Sequence, residues 1–476
     1  MNILTSFPRG LSSRPICVNC LFMNRHILLI NPWIYDFSAY DLWYKPLGLL
    51  YLASLLRVNG VRISWIDCLD PDHPDMRHEP HVRMPKRKSS GEGSYAAERI
   101  PKPLPLKSIP RNFHRFGMTP RVFLNTLKSI SKPDVIMVTS MMTYWYPGIF
   151  DIILLLKMTY PGVPVVLGGN YVTLCPWHAS LSRADFCMSG PGELSLPPLL
   201  KDLLGMDMPF LPDVQNLDSY PYPAFDLTRQ RDCVPILTSR GCPYRCSYCA
   251  SHLLTDRFRR RDPFRVANEI EYWYSRFGIK NFSFYDDALL VNTQEMAIPL
   301  LHELIRRRLP VQFHCPNGLH LREITPELSS LLYRTGFRTI RFGFETSDLI
   351  RQKETGGKVN NEEFREAVHH LKLAGYRPQD IGVYILCGLP GQSADEVRES
   401  IRFVRSSGAR PLLAEYSPIP GSDLWDDAIA SSPYPIDTEP LFQNNTLLPC
   451  KSASLSYGMY QTLKLMTRLT PQSEDS

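Results

Sequence analysis

Three cysteines, Cys242, Cys246 and Cys249, fall within the eight residues Cys242-Pro243-Tyr244-Arg245-Cys246-Ser247-Tyr248-Cys249. Thiolates at spacings of four and three on one loop can turn onto a single soft metal centre. Complete iron–sulfur ligation ordinarily uses four Cys, and a closed zinc site uses four ligands. No fourth Cys lies nearby, so three protein ligands leave one metal position open to a substrate or cofactor. The plainer alternative is a set of buried or zinc-binding thiols. Against it, free Cys is usually scattered through cores and zinc motifs usually come as Cys pairs. The loop is introduced by Thr238-Ser239-Arg240-Gly241 and follows an apolar run at 234–237 that reads as a buried strand.

The elements that must position this loop form two series. In the first, apolar runs at 26–31, 61–66, 134–138, 163–167 and 184–188 read as strands. Helices are expected at 49–58, opened by Pro46-Leu47-Gly48 and capped by Asn59-Gly60, and at 147–159. Strand, helix and strand in this order make a right-handed βαβ unit and start a doubly wound, Rossmann-like sheet. Ser140, Gly168-Gly169 and Gly190-Pro191-Gly192-Glu193 fall where strand ends meet loops. Ligands bind there in open α/β sheets, and Gly lets them approach the backbone. Residues 71–118 break the pattern with Pro and basic side chains. They read as a solvated insertion, or as a lid presenting Lys102, Arg111 and Arg115 to an anionic ligand.

Pro212, Pro221 and Pro223 mark a linker, and the alternation restarts at Asp232. Strands follow at 281–285, 311–315, 339–344, 381–386 and 412–416, separated by helices at 263–277, 293–308, 325–335, 361–374 and 394–407. Asp262-Pro263 is an N-cap with Pro in the first turn. Six strand–helix repeats point to a partial (β/α)6 barrel of the TIM type, whose chemistry gathers at the C-terminal strand ends. Those ends carry Asp286-Asp287, Gly343-Phe344-Glu345-Thr346-Ser347, Gly388-Leu389-Pro390-Gly391-Gln392 and Pro418-Ile419-Pro420-Gly421-Ser422. By the two-residue period of a strand, Arg341 shares a face with Gly343 and Glu345 and is placed to pair with a carboxylate. Each of these positions also has an ordinary reading as a cap or turn.

The C-x3-C-x2-C motif resembles the signature of the radical S-adenosylmethionine (SAM) enzymes. The resemblance implies that Cys242, Cys246 and Cys249 hold a [4Fe–4S] cluster whose open iron is chelated by SAM. It implies that Tyr248 flanks the adenine and that Asp286, ahead of Asp287, meets the methionyl amino group. Glu345 is then expected at the ribose or methionyl part, and Gly388 and Gln392 at the adenosine pocket. The first series resembles the cobalamin-binding domain that precedes many radical SAM cores. Its markers are residues 46–53, Ser140-x-Met142 and Gly168-Gly169, with Ser140, Gly168 and Gly169 as cobalamin contacts. The Asp-x-His-x-x-Gly motif that supplies an axial His is absent, so cobalamin is expected without that ligand, or the domain only packs on the core. Reductive cleavage of SAM and hydrogen abstraction from a small-molecule substrate are the implied chemistry. Methyl transfer is the first expectation, with ring contraction or another rearrangement as its alternative. A non-catalytic cluster- and SAM-binding protein is the alternative outside that class.

With 476 residues the chain is long enough for two or three domains. Boundaries are expected at 1–22 for a disordered leader, 23–205, 206–231 for the linker, 232–430 for the core and 431–476 for an extension ending in a helix at 457–469. The leader holds the pair Cys17/Cys20, and translation is expected to start at Met23. Twelve Cys without even spacing exclude a secreted disulfide scaffold, and no run of 18 apolar residues spans a membrane. A cytoplasmic protein served by a flavodoxin- or ferredoxin-type electron donor is expected. A net charge of +6 and the run Arg257 to Arg261 raise a tRNA substrate, but no RNA-binding module is visible and no nucleic acid is expected.

Overall fold

A computed structural model describes residues 25–468; the leader, its Cys pair and Met23 lie outside the described residues. The N-terminal sheet has five parallel strands: β1 (His26–Asn31), β2 (Arg62–Asp67), β3 (Val135–Val138), β4 (Val165–Gly168) and β5 (Phe186–Met188). Their order is β5-β4-β3-β1-β2. The chain winds outward in both directions from β1 and β3, so a crevice opens between their C-terminal ends. Alternation along β1 explains why both faces are covered. Leu28 and Ile30 enter one core with Val122 and Ile152. Ile27 and Leu29 enter the other with Leu49, Ala53 and Leu196. A strand buried on both faces is apolar throughout, which is why HILLIN was legible.

The second sheet runs in sequence order: β6 (Cys233–Ile236), β7 (Asn281–Phe284), β8 (Gln312–His314), β9 (Phe337–Glu345), β10 (Ile381–Cys387) and β11 (Arg410–Glu415). All neighbours are parallel. Phe282, Phe284, Phe313 and Phe337 pack between the strands and the outer helices. The helix Pro263–Phe277 starts at the expected cap, the Asp262 side chain accepting from the Arg265 amide, and ends at Gly278 in the left-handed region.

Residues 71–118 are not a solvated insertion. Ala97–Ile100 and Phe113–Phe116 pair antiparallel and extend onto Ile34–Asp36, in the loop after β1. The sheet buries Tyr95, Ala97, Phe113 and Phe116. Glu98 and Arg115 stand opposite each other across the strands and form an ion pair, so Arg115 faces a protein partner. Lys102 donates to the Ile109 carbonyl. Arg111 donates to the Thr446 carbonyl and stacks on Phe37. The Pro and Arg content concealed short strands that depend on partners far away in the chain.

The insertion also steadies the loop that carries Trp43 into the barrel. Trp43 has φ +65°, and its ring stacks on His314 with centroids 4.4 Å apart. His314 lies on the face of β8 opposite core residue Phe313 and faces Asn281 and Thr339 at 3.2 Å each. Burial pulls its pKa down to about 4. A base depressed below its unfolded value of 6.5 binds fewer protons in the native state, so its contribution to stability is lost as pH falls from 6.5 towards 4. His314→Gln is therefore expected to lose less stability than wild type across that window, as read by urea melts at pH 7 and pH 5.

Candidate active site

The two-residue strands Ser239–Arg240 and Arg259–Arg260 pair antiparallel and bracket the cysteine loop. Gly241 opens it with φ +82°; a Cβ there would stand 2.8 Å from the Arg257 carbonyl. The Cys249 amide donates to the Cys246 carbonyl at 2.9 Å, forming a tight turn between these two cysteines. Cys246 is buried, Cys242 and Cys249 are half-buried, and all three are free thiols. Burial pushes Cys242 up to about 11, with the neighbouring Asp287, Cys246 and Cys249 adding to the rise. Burial also raises Cys246, while the Lys358 charge opposes it. Such thiols stay protonated until a metal displaces the proton. Among the described residues, no three His, Cys, Asp or Glu side chains are gathered as one ion would need. Three soft thiols on one loop, not gathered for a single ion, would instead serve as ligands to an iron–sulfur cluster.

Asp286 lies at the end of β7, fully buried. Its Oδ1 accepts four hydrogen bonds, from the amides and hydroxyls of Thr238 and Ser239, at 2.6–2.8 Å. Its Oδ2 is equally buried and has no partner among the described residues. Burial raises its pKa to about 6 against those hydrogen bonds. One oxygen thus fixes the start of the cysteine loop, and the other is a buried acceptor suited to a cationic group.

Glu345 ends β9 with φ +73°, beyond a register shift between Gly343 and Glu345. The shift breaks the two-residue alternation. Among the described residues Arg341 meets no carboxylate: it donates to the Tyr384 hydroxyl at 2.9 Å and stacks on that ring. Glu345 Oε1 accepts from Tyr248 at 2.8 Å and from Lys358 at 2.6 Å. Lys358 also lies 5.4 Å above the Tyr248 ring. A Cβ at Gly343 would stand 2.7 Å from Glu345 Oε1, which gives a reason for that glycine. Lys358 was missed by sequence reasoning. It sits in a Gly-Gly-Lys loop with no motif to mark it, and its partner is 13 residues away.

The turn after β10 places Gly388 at φ +94°. Gln392 bonds within its own turn: its carbonyl accepts from the Gly388 and Leu389 amides, and its NH2 donates to the Leu386 carbonyl and Glu396. With its hydrogen-bonding positions used internally, it holds the turn in shape. The loop after β11 touches the cysteine loop, the Leu424 amide donating to the Ser247 carbonyl at 3.0 Å.

In the N-terminal domain the Ser140 hydroxyl donates to the Gly168 carbonyl at 2.6 Å. Gly169 has φ +100°, and a Cβ there would stand 2.2 Å from the Ser140 carbonyl. This close approach alone requires glycine. At Gly168 and Gly190 a Cβ would meet almost nothing, leaving an open cradle of bare backbone at the ends of β4 and β5. Such a cradle fits a ligand chain laid against the strand ends.

Between the domains lies a cavity of about 660 Å³. Tyr40, Tyr44 and Met142 line it from the loops after β1 and β3, and Tyr285 and Glu415 from the ends of β7 and β11. Of the three basic residues expected in a lid, Arg111 reaches this cavity.

Residues 236–404 match the Radical SAM superfamily, and residues 119–200 match the B12 binding domain. The chain is a radical SAM enzyme with a B12-binding domain. Its cofactors are accordingly a [4Fe–4S] cluster, SAM and cobalamin. An uncharacterized methyltransferase of Pyrococcus horikoshii is 27% identical over 65% of this radical SAM chain and 73% of its own length. An anaerobic magnesium-protoporphyrin IX monomethyl ester cyclase of Synechocystis is 28% identical over 48% of this chain and 51% of its own. The chain thus spans only about half of that second relative. In fold, the radical SAM methyltransferase TsrM from Kitasatospora setae, solved with cobalamin and a [4Fe–4S] cluster, superposes with a TM-score of 0.63 at 17% identity, covering 87% of this chain and 80% of TsrM.

The basic run in the radical SAM domain is spent on protein contacts. Arg257 and Arg259 pair with Asp256, Arg260 with Glu295, and Arg261 with Asp218 and Glu269. Among the described residues, no helix is long and apolar enough to cross a membrane.

Proposed function

We propose that this enzyme transfers a methyl group to a small organic substrate held in the cavity between its two domains. The observation that carries the reading is one cavity walled by the loops after β1 and β3, by Tyr285 and Glu415 at the ends of β7 and β11, and by the C-terminal helix Tyr457–Met466. In this reading Cys242, Cys246 and Cys249 hold the cluster. Asp286 Oδ2 takes the amino group of SAM. Tyr248, anchored by Glu345 and Lys358, and the Gly388 turn shape the rest of the SAM pocket. Ser140 and Gly169 set the backbone that receives cobalamin, and Gly168 leaves room for it. The loop after β1 brings Trp33, Asp36 and Trp43 but no His, so this loop would hold cobalamin without an imidazole ligand. When bound, the cofactors supply the adenosyl radical and the methyl group. The chain's own work is to exclude water and set distances, which buried aromatic walls and short loop anchors do well. We place the enzyme in the cytoplasm, with a flavodoxin- or ferredoxin-type donor.

The test is anaerobic reconstitution with iron, sulfide and hydroxocobalamin, followed by deuteromethyl-labelled SAM and dithionite. Formation of 5′-deoxyadenosine together with S-adenosylhomocysteine supports methyl transfer. The cyclase among the relatives favours a second reading, a rearrangement without methylation. Its mark is 5′-deoxyadenosine with the label retained on the released methionine and no S-adenosylhomocysteine. No nucleoside from a reduced, cluster-loaded protein refutes both.

A further inference from the structure

Arg240 immediately precedes Gly241 and Cys242, yet its guanidinium leaves the barrel and enters the N-terminal domain. It donates to Glu193 Oε1 at 2.5 Å, with the two side chains 23% and 13% exposed. The Tyr220 hydroxyl donates to the same oxygen at 2.8 Å. The guanidinium also lies over the rings of Tyr51 and Tyr220, 5.1 and 4.7 Å from their centroids. Helix Leu47–Val58, helix Gly192–Leu204 and the linker therefore converge on one side chain of the radical SAM domain. Its neighbour Ser239 is held from the other side by Asp286. The start of the cysteine loop is thus pinned between the two domains.

Two features connect this contact to the cobalamin cradle. Glu193 sits in the first turn of helix Gly192–Leu204, where a carboxylate is favoured, directly after the open backbone at Gly190. At the far end of the cysteine loop, helix Ser251–Leu254 packs on helix Asn170–Leu174, which begins beside Gly169. Both ends of the cysteine loop therefore rest on the β4 and β5 loops that carry the cradle.

We propose that Arg240 and Glu193 are positioning residues that latch the cysteine loop to the B12-binding domain and couple occupancy of the corrin cradle to the geometry of Cys242–Cys249. The proposal rests on the cobalamin reading above. A ligand seated against Gly168 and Gly190 immobilises the loop that carries Glu193, and Arg240 passes that restraint to the thiols. By linkage, an assembled cluster must in turn favour corrin binding by the same factor.

The test uses the full chain, with and without a reconstituted cluster, and hydroxocobalamin as the probe in anaerobic equilibrium dialysis. Wild type is expected to bind the corrin roughly five-fold more tightly, or better, when the cluster is present. Glu193→Gln is expected to bring that ratio to one and to raise amide exchange across residues 238–254 of the cluster-free protein. Arg240→Lys, which keeps the charge but loses the planar stacking, is expected to restore part of the ratio. Should Glu193→Gln fail to fold, Tyr220→Phe removes a single hydrogen bond and is expected to raise exchange in the same peptides by less. Equal corrin affinity with and without cluster in wild type, or unchanged exchange in the variants, overturns the latch and leaves the proposed function standing. A protein that loads its cluster but never holds corrin overturns the cobalamin reading and the coupling together.

Discussion

Cys246→Ala is expected to abolish the broad visible absorption of the reconstituted protein and bring bound iron and 5′-deoxyadenosine to background. The buried Cys246 sits at the centre of the loop: its carbonyl fixes Cys249, and Gly356 packs against its Cα, where a Cβ at that glycine would come within 3.1 Å. No other Cys is placed in the loop to replace it. Alanine keeps the backbone turn, so the fold is expected to persist, as circular dichroism would show. Serine keeps a small polar group but not a soft thiolate, and is expected to behave like alanine. Full absorption in either variant would refute the ligand role.

Asp286→Asn is the second large effect. The amide keeps the size of the side chain and one carbonyl oxygen for Thr238 and Ser239, but removes the charge from the buried, unpartnered Oδ2 position. Loss of a hydrogen bond to a charged group costs about 1.5–3 kcal/mol, so SAM affinity is expected to fall roughly 10- to 150-fold. Since burial holds the free carboxyl at about 6, wild-type affinity should weaken as pH drops through that value, while Asp286→Asn stays flat. Isothermal titration with SAM at pH 7.5 and pH 5.5 reads both effects. Asp286→Ala goes further: it leaves buried donors at Thr238 and Ser239 unpaired, at about 1–3 kcal/mol for each group left without a partner. That variant is expected to bind iron poorly too. Wild-type SAM affinity in Asp286→Asn would remove the residue from the pocket.

Local patterns carried the elements well. The five N-terminal strands and six barrel strands lie where apolar runs and Gly or Pro boundaries place them, with ends shifted by at most three residues. The insertion was misread because its strands have two to four residues and pair with a loop about 50 to 80 positions earlier. The Arg341 expectation failed at the register shift before Glu345, which no two-residue period can foresee. Gln392 is a polar residue after the fifth barrel strand, and only its filled hydrogen bonds reveal that it braces a turn.

What the sequence by itself determined is the chemistry that the chain can hold: three thiols on one loop, an acidic residue after the second barrel strand, and two series of parallel strands in order. These follow from spacing within short segments, where covalent geometry dictates which side chains are neighbours. Only the tertiary structure decided which of them meet. Lys358 reaches Glu345, Trp43 enters the barrel, and Glu193 clasps Arg240 across 47 positions of chain. Such pairs depend on how two finished sheets dock, and docking is set by buried surface from the whole molecule rather than by any local period.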